Sequence, residues 1–291
     1  MIRTVAIIGS GVMGRGIAYA AALGCYSVFL TDLHEEALEQ AQVTIRRLIE
    51  KGLKKGKITD EQAMMIDKKI IYSSDMERCL KEADVIIEAV PEKKEIKQQV
   101  FQMMEQYASD TCLFATNTST MSPTEIASYG KRPQKTMAMH FFNPVHSMPL
   151  VEMVRGLETS DETVAAIREI AEQMGKETVV INEFPGFVTS RISALVGNEA
   201  FYMLQEGLGT PEEIDKAIKL GLNYPMGPFE LADLVGLDVR LNNLLYLHEK
   251  LGEKYRPAPL LEQYVKAGRL GRKTGRGIYE YATIAEKAGK I

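Results

Sequence analysis

The stretch Thr4-Val5-Ala6-Ile7-Ile8-Gly9-Ser10-Gly11-Val12-Met13-Gly14 constrains this chain more than any other. Val5 to Ile8 form a short continuous apolar run, the pattern of a strand buried on both faces of a parallel sheet. Gly9, Gly11 and Gly14 keep the G-x-G-x-x-G spacing. In that pattern the first glycine makes a tight turn, the second lets a pyrophosphate approach bare backbone, and the third packs helix on strand. An alanine-rich helix from Gly14 to Leu23 follows, with its N–H groups and positive dipole end aimed at the phosphates. Glycine-rich turns are common, so the context decides. A second strand, Ser27 to Thr31, runs into Asp32, about 20 residues past Gly11, where a carboxylate accepts hydrogen bonds from the adenosine ribose hydroxyls. The same carboxylate repels a 2′-phosphate, and positions 31 to 34 hold no Arg or Lys to receive one. The cofactor read here is therefore NAD, with Gly9, Ser10, Gly11, Val12, Met13, Gly14 and Asp32 as its binding residues.

The 291 residues suffice for two domains and a substantial core. A hydrophobic fraction of 45% and a charged fraction of 25% are ordinary for a globular chain and argue against disorder. The formal net charge of −4 lacks the basic surplus of a nucleic-acid binder. No apolar run reaches the roughly 18–20 residues of a membrane span, and a first strand opening at Thr4 leaves no room for a targeting peptide. Cys25, Cys79 and Cys112 are scattered without metal-type spacing, so no metal is expected and reduced thiols in a cytoplasm are the reading.

Along the chain, a helix is expected from His34 to Lys57 and a second from Thr59 to Lys68, capped by Thr59. The first ends in a basic stretch holding Lys51, Lys54, Lys55 and Lys57, either a solvated helix end or a landing place for an anionic handle. The α/β rhythm continues with strands at Lys69–Tyr72, Ala83–Val90 and Cys112–Thr116 and helices at Met76–Lys81 and Ile96–Tyr107. Glu88, Glu92 and Lys97 flank the break at Pro91 and are placed near the cofactor, because ligands of doubly wound sheets bind at the carboxyl edge. In the polar cluster after Thr116, Ser122 reads as the cap of the next helix, while Asn117 and Ser119 are kept for ligand.

His140 lies among apolar neighbours on a strand over Thr136–Pro144, and Glu152 lies likewise on Leu150–Val154. If those strands are neighbours, Glu152 fixes the tautomer of His140 and the other ring nitrogen can move a proton; a core histidine satisfied by backbone is the alternative. A helix over Glu162–Met174 and a strand over Thr178–Ile181 complete a first domain, 1–183, with a helical insertion at about 34–68. Beyond Glu183-Phe184-Pro185-Gly186 the pattern is helical, at Phe187–Glu206, from Pro211 to about Leu220, Phe229–Leu251 and Pro259–Ala267. This domain, 184–291, would cover the substrate and pair subunits into a homodimer. A basic glycine-rich loop, Leu270 to Tyr279, reads as an exposed tail or as a way for Lys273 to reach the cofactor. The fold class is α/β, an N-terminal Rossmann-type doubly wound sheet followed by an all-helical C-terminal domain.

With Glu88-Ala89-Val90-Pro91-Glu92, Asn117-Thr118-Ser119-Thr120, His140-Phe141-Phe142-Asn143-Pro144, Leu150-Val151-Glu152, Pro185-Gly186-Phe187-Val188, Tyr224-Pro225-Met226-Gly227-Pro228-Phe229-Glu230 and Lys273-Thr274-Gly275 assembled, the chain resembles the short-chain L-3-hydroxyacyl-CoA dehydrogenases, bacterial 3-hydroxybutyryl-CoA dehydrogenases above all. The resemblance runs over essentially the whole chain. It implies reversible oxidation of an (S)-3-hydroxyacyl-CoA by NAD, with His140 as general base and Glu152 as its orienting carboxylate. It also implies that Ser119 and Asn143 hold substrate or cofactor, that Glu92, Lys97 and Lys273 line the nicotinamide side, and that Lys51 or Lys54 meets the CoA nucleotide. One position departs: where the family commonly has Asn before the Arg of the Pro-Gly-Phe motif, this chain has Ser190, whose reach toward substrate is shorter. Without the resemblance, two other readings stay open, a dehydrogenase for a free hydroxy acid and a protein that binds NAD without catalysis.

Overall fold

A computed structural model describes residues 2–281. The chain divides into two compact units, Met1–Phe184 and Pro185–Ile291. The first carries β1 (Thr4–Ile8), β2 (Ser27–Thr31), β3 (Ile70–Ser73), β4 (Val85–Glu88), β5 (Leu113–Thr116), β6 (Thr136–Phe141), β7 (Leu150–Arg155) and β8 (Glu177–Asn182). They form one sheet in the order β3-β2-β1-β4-β5-β6-β7-β8. Helices α1 (Val12–Leu23), α2 (Glu35–Lys54), α3 (Asp60–Lys69), α4 (Met76–Lys81), α5 (Lys94–Tyr107), α6 (Pro123–Ala127) and α7 (Asp161–Gln173) connect the strands. The order of β1 to β6 is that of a Rossmann sheet. Neighbours among those six are parallel, whereas β7 runs antiparallel to β6 and β8 parallel to β7.

Alternation within the buried strands builds both layers. Val5 and Ile7 of β1 join Ile17, Leu30 and Ile45 in one core, while Ala6 and Ile8 join Phe29, Phe101 and Phe114 in the other. Successive side chains of a strand point to opposite faces, so one apolar run serves two layers. Helices α2 and α3 fill the connection from β2 to β3, and α3 opens on a reciprocal capping box between Thr59 and Gln62.

The second unit holds α8 (Thr189–Gln205), α9 (Pro211–Gly221), α10 (Pro228–Val235), α11 (Leu237–Leu251) and α12 (Pro259–Lys266). The single helix expected over Phe229–Leu251 is two, broken at Gly236, whose φ of +108° lies outside the helical region. A Cβ at Gly236 would stand 2.9 Å from Asp238 Oδ1 and 3.1 Å from Lys273 Nζ. The glycine-rich loop after α12 is no loose tail. Asp233 on α10 accepts hydrogen bonds from the Ile278 and Tyr279 N–H groups and the Tyr281 hydroxyl, each at 2.9 Å. Asp215 on α9 likewise accepts from the Phe229 and Glu230 N–H groups and the Tyr279 hydroxyl.

In the sheet, Glu88 ends β4 fully buried, and so is Lys97 on α5. Lys97 Nζ lies 2.8 Å from each Glu88 oxygen and 3.2 Å from Glu92 Oε2, while Thr116 Oγ1 and the Val90 N–H also donate to Glu88. Burial pushes the Glu88 carboxyl above its ordinary pKa, against the pull of Lys97. Lys97→Met leaves a buried carboxylate without its counter-charge and should destabilise the protein by about 3–5 kcal/mol at neutral pH in a denaturant melt. With Lys97 gone, Glu88 is stable only when protonated. Its contribution is then present below the unfolded carboxylate pKa of about 4.3 and lost as pH rises through the higher folded value. The deficit should shrink on acidification and be mostly recovered by Glu88→Leu added to Lys97→Met; a pH-independent deficit would refute this account.

Candidate active site

The carboxyl edge of the parallel strands gathers most of the residues singled out from the sequence. Gly9 turns the chain out of β1 at φ +100°, and a Cβ there would lie 2.8 Å from the Ala89 carbonyl oxygen. At Gly14 a Cβ would fall 1.7 Å from the Gly9 carbonyl oxygen, so helix and strand close on one another only with glycine in place. Gly11 differs: a Cβ there meets no atom within 4 Å among the described residues, so its bareness serves no contact with them. That open backbone at a helix start is what a pyrophosphate needs. Helix α1 begins at Val12, two residues earlier than expected, and no side chain caps it. Asp32 is fixed beside the turn, its Oδ2 accepting from both the N–H and the hydroxyl of Ser10 at 2.8 Å and its Oδ1 from the His34 N–H at 3.2 Å. The glycine turn and the ribose-binding carboxylate are thus one hydrogen-bonded unit, and these residues fit a dinucleotide.

Glu92 and Lys97, expected to line the cofactor, form a clamp. Glu92 Oε1 accepts from the Thr118 hydroxyl, the Ser119 N–H at 3.0 Å and the Thr120 N–H at 3.3 Å, tying the turn after β5 to the end of β4. Burial raises the Glu92 pKa, but Lys97 and these donors outweigh it and hold the carboxyl below its usual range. Lys97 is fully buried with its ammonium on two carboxylates, so direct contact with a ligand would require one of them to let go. It acts on the turn through Glu92. Ser119 sits half-buried on that turn. Asn117, also kept for ligand, turns its Oδ1 to the Phe141 N–H at 3.1 Å and so joins the end of β5 to β6.

His140 and Glu152 face each other in the antiparallel register of β6 and β7. Nδ1 lies 2.7 Å from Glu152 Oε2; the histidine is 8% exposed and the glutamate fully buried. An ionised Glu152 accepts from Nδ1–H, which directs the imidazole's Nε2 to the opposite side of the ring. The ring of Phe142 lies 4.5 Å away, and Asn143 is exposed just beyond. Such a pair can take up one proton at Nε2 and shelter the resulting charge.

Lys51 and Lys54 are exposed in the last turn of α2. Burial first, then the charges of Lys51, Lys57 and Lys176, hold the His146 imidazole below its ordinary pKa, which sets this basic end beside the connection from β6 to β7. Ser190 and Lys273 belong to the helical unit. Ser190 is half-buried in the first turn of α8, and Lys273 Nζ pairs with both Asp238 oxygens at 2.6 Å. Thr116, Thr118, Asp215 and Asp233 escaped sequence reasoning. Among the described residues no cluster of His, Cys, Asp or Glu is arranged to hold a metal, and no helix is long and apolar enough to cross a membrane.

Residues 4–184 match the NAD binding domain of 3-hydroxyacyl-CoA dehydrogenase, and residues 186–281 its C-terminal domain. A probable 3-hydroxybutyryl-CoA dehydrogenase of Bacillus subtilis is 43% identical over 96% of this chain and 98% of its own. The 3-hydroxybutyryl-CoA dehydrogenase of Bradyrhizobium diazoefficiens is 41% identical over 97% of this chain and 96% of its own. The crystal structure of an (S)-3-hydroxybutyryl-CoA dehydrogenase from Ralstonia eutropha superposes with a TM-score of 0.94 at 41% identity, covering 97% of this chain and all of that one. Matched over most of both units, the chain belongs to the 3-hydroxyacyl-CoA dehydrogenase family.

Proposed function

We propose that this protein catalyses the reversible NAD-dependent oxidation of (S)-3-hydroxyacyl-CoA to 3-ketoacyl-CoA, with 3-hydroxybutyryl-CoA as the favoured substrate. The observation that carries the reaction is the His140–Glu152 rung, a buried carboxylate 2.7 Å from an imidazole at the carboxyl edge of a nucleotide-binding sheet. His140 Nε2 takes the proton of the substrate hydroxyl, and Glu152 holds the ring in the productive tautomer and stabilises its positive charge. Bound NAD supplies the hydride acceptor. Gly9, Ser10, Gly11, Val12, Met13 and Gly14 seat its pyrophosphate and Asp32 its ribose, while Ser119, on the turn that Glu92 and Lys97 clamp, and Asn143 hold the reacting groups. Lys51 and Lys54 receive the CoA nucleotide. From the helical unit, Ser190 serves the substrate and Lys273 the cofactor.

That unit covers the substrate and pairs two copies, in keeping with Leu208, Leu220 and Leu222, which are 74%, 75% and 60% exposed. Cys25, Cys79 and Cys112 carry free thiols, which fits the reducing cytoplasm in which we place the enzyme.

Absorbance of NADH should fall rapidly when the protein is offered acetoacetyl-CoA, at least about tenfold more slowly with NADPH, whose 2′-phosphate meets Asp32, and not at all with free acetoacetate. A flat trace on every acyl-CoA would end this reading. His140→Gln and Glu152→Gln should each lower kcat by about 10²–10⁴-fold with NADH affinity retained, since the loss falls on proton transfer. Reversing Lys51 and Lys54 to Glu should raise KM for acetoacetyl-CoA about tenfold with kcat nearly constant, an effect that shrinks with added salt; an unchanged KM would remove these lysines from the CoA site.

A further inference from the structure

Strand β6 outruns its neighbour β5. Their pairing closes at Thr116 with Ala138, and Met139, His140 and Phe141 continue beside β7 as far as Val151. On the side that β5 has left, the Phe141 N–H donates to Asn117 Oδ1 at 3.1 Å, so a side chain supplies the acceptor that a longer β5 would offer from its backbone. Glu152 is held differently, because β7 has β6 on one side and β8 on the other, with Val179 across from it. The orienting carboxylate thus sits between two strands, and the imidazole beside one strand and one amide. That amide belongs to the first residue of the turn that carries Ser119. The Asn117 N–H donates in turn to the Glu88 carbonyl oxygen at 2.7 Å, so the end of β6 is tied through Asn117 to that turn and to β4.

Glu152 sets one point of the imidazole, at Nδ1. A ring held at one point still swings, and its second point is Cβ, whose place the backbone of β6 decides. The Phe141 side chain is buried in the core on the face opposite His140. Apolar packing is non-directional: it seats the strand end against the layer below, whereas the hydrogen bond to Asn117 fixes it within the plane of the sheet. A general base must come within about 2.6–3.2 Å of the atom whose proton it takes, so a small drift of that strand end is felt at Nε2. We infer that Asn117 is a positioning residue: standing in for a strand, its Oδ1 holds His140 in place against the turn that presents Ser119. This inference rests on the reading of His140 as the base.

The test is a double-mutant cycle on the full chain, with kcat, KM for acetoacetyl-CoA and NADH affinity measured for Asn117→Ala, His140→Gln and the two together. Asn117→Ala should lower kcat about 10–100-fold while KM and NADH affinity stay within about twofold, the signature of a displaced base rather than a lost ligand contact. In the His140→Gln background the same change should cost less than about twofold, because a residue that acts through the imidazole then has nothing left to position. Asn117→Asp keeps the acceptor and drops the amide donor, and should recover most of the kcat that alanine loses. Should Asn117→Ala fail to fold, the cycle is run with Asn117→Ser, whose shorter side chain withdraws the acceptor while keeping a polar residue in the turn. Losses that multiply in the double variant, a raised KM in place of a lowered kcat, or an aspartate no better than alanine would each overturn the inference. A His140→Gln protein with undiminished turnover would remove the base itself, and this role of Asn117 with it.

Discussion

Between Phe141 and Leu150 the chain has too few residues to climb over the sheet and re-enter it in parallel, a crossover that takes a dozen or more. It must turn back. The reversal sets β7 antiparallel to β6, and the register that follows puts Glu152 across from His140. Because β1 to β6 all run one way, their carboxyl ends share an edge, and the glycine turn, Asp32, Glu88, the turn after Thr116 and His140 arrive at it from separate strands. The reversed β7 starts at that edge and delivers Glu152 where the other strands finish. A slip of one residue in the β6–β7 register would turn Glu152 to the opposite face of the sheet.

Buried carboxylates recur through the molecule, and their partners separate their tasks. Glu88 meets the Nζ of Lys97, while Asp215 and Asp233 meet backbone N–H groups and tyrosine hydroxyls. Those pairings hold elements together. Glu152 alone among these four faces an imidazole, the side chain suited to pass a proton from one ring nitrogen while the other is held. The same physical problem, an acid removed from water, is resolved as architecture in three places and as potential chemistry in one.

The alternation of strand and helix, the glycine spacing and the apolar run of β1 made the doubly wound sheet legible from local patterns. The facing of His140 and Glu152 was legible as a condition, that their strands be neighbours, and the short connection meets it. The burial of Lys97 left a signal that went unread. Lys97 falls on the same helical stripe as Val100, Phe101 and Met104, where a charged residue must bring its counter-charge with it. Arg240 sits the same way on the stripe of Leu237, Leu244 and Leu247. Local patterns could not reveal the role of Asp233, because its partners lie more than 40 residues away, or the break at Gly236, because a lone glycine is compatible with a helix.

The hydrogen bonds from Ser10 to Asp32 bear on how cofactor preference could change. An acidic residue after the second strand is usually regarded as a selector that can be exchanged by itself. Here its Oδ2 also anchors the second residue of the phosphate turn, through backbone and side chain together. Neutralising Asp32 to admit a 2′-phosphate would therefore release Ser10 and loosen the turn that seats the pyrophosphate, trading selectivity against affinity. A lineage or a designer seeking NADP use would have to rebuild positions 10 and 32 as a pair, and intermediates with only one exchanged would bind either dinucleotide poorly.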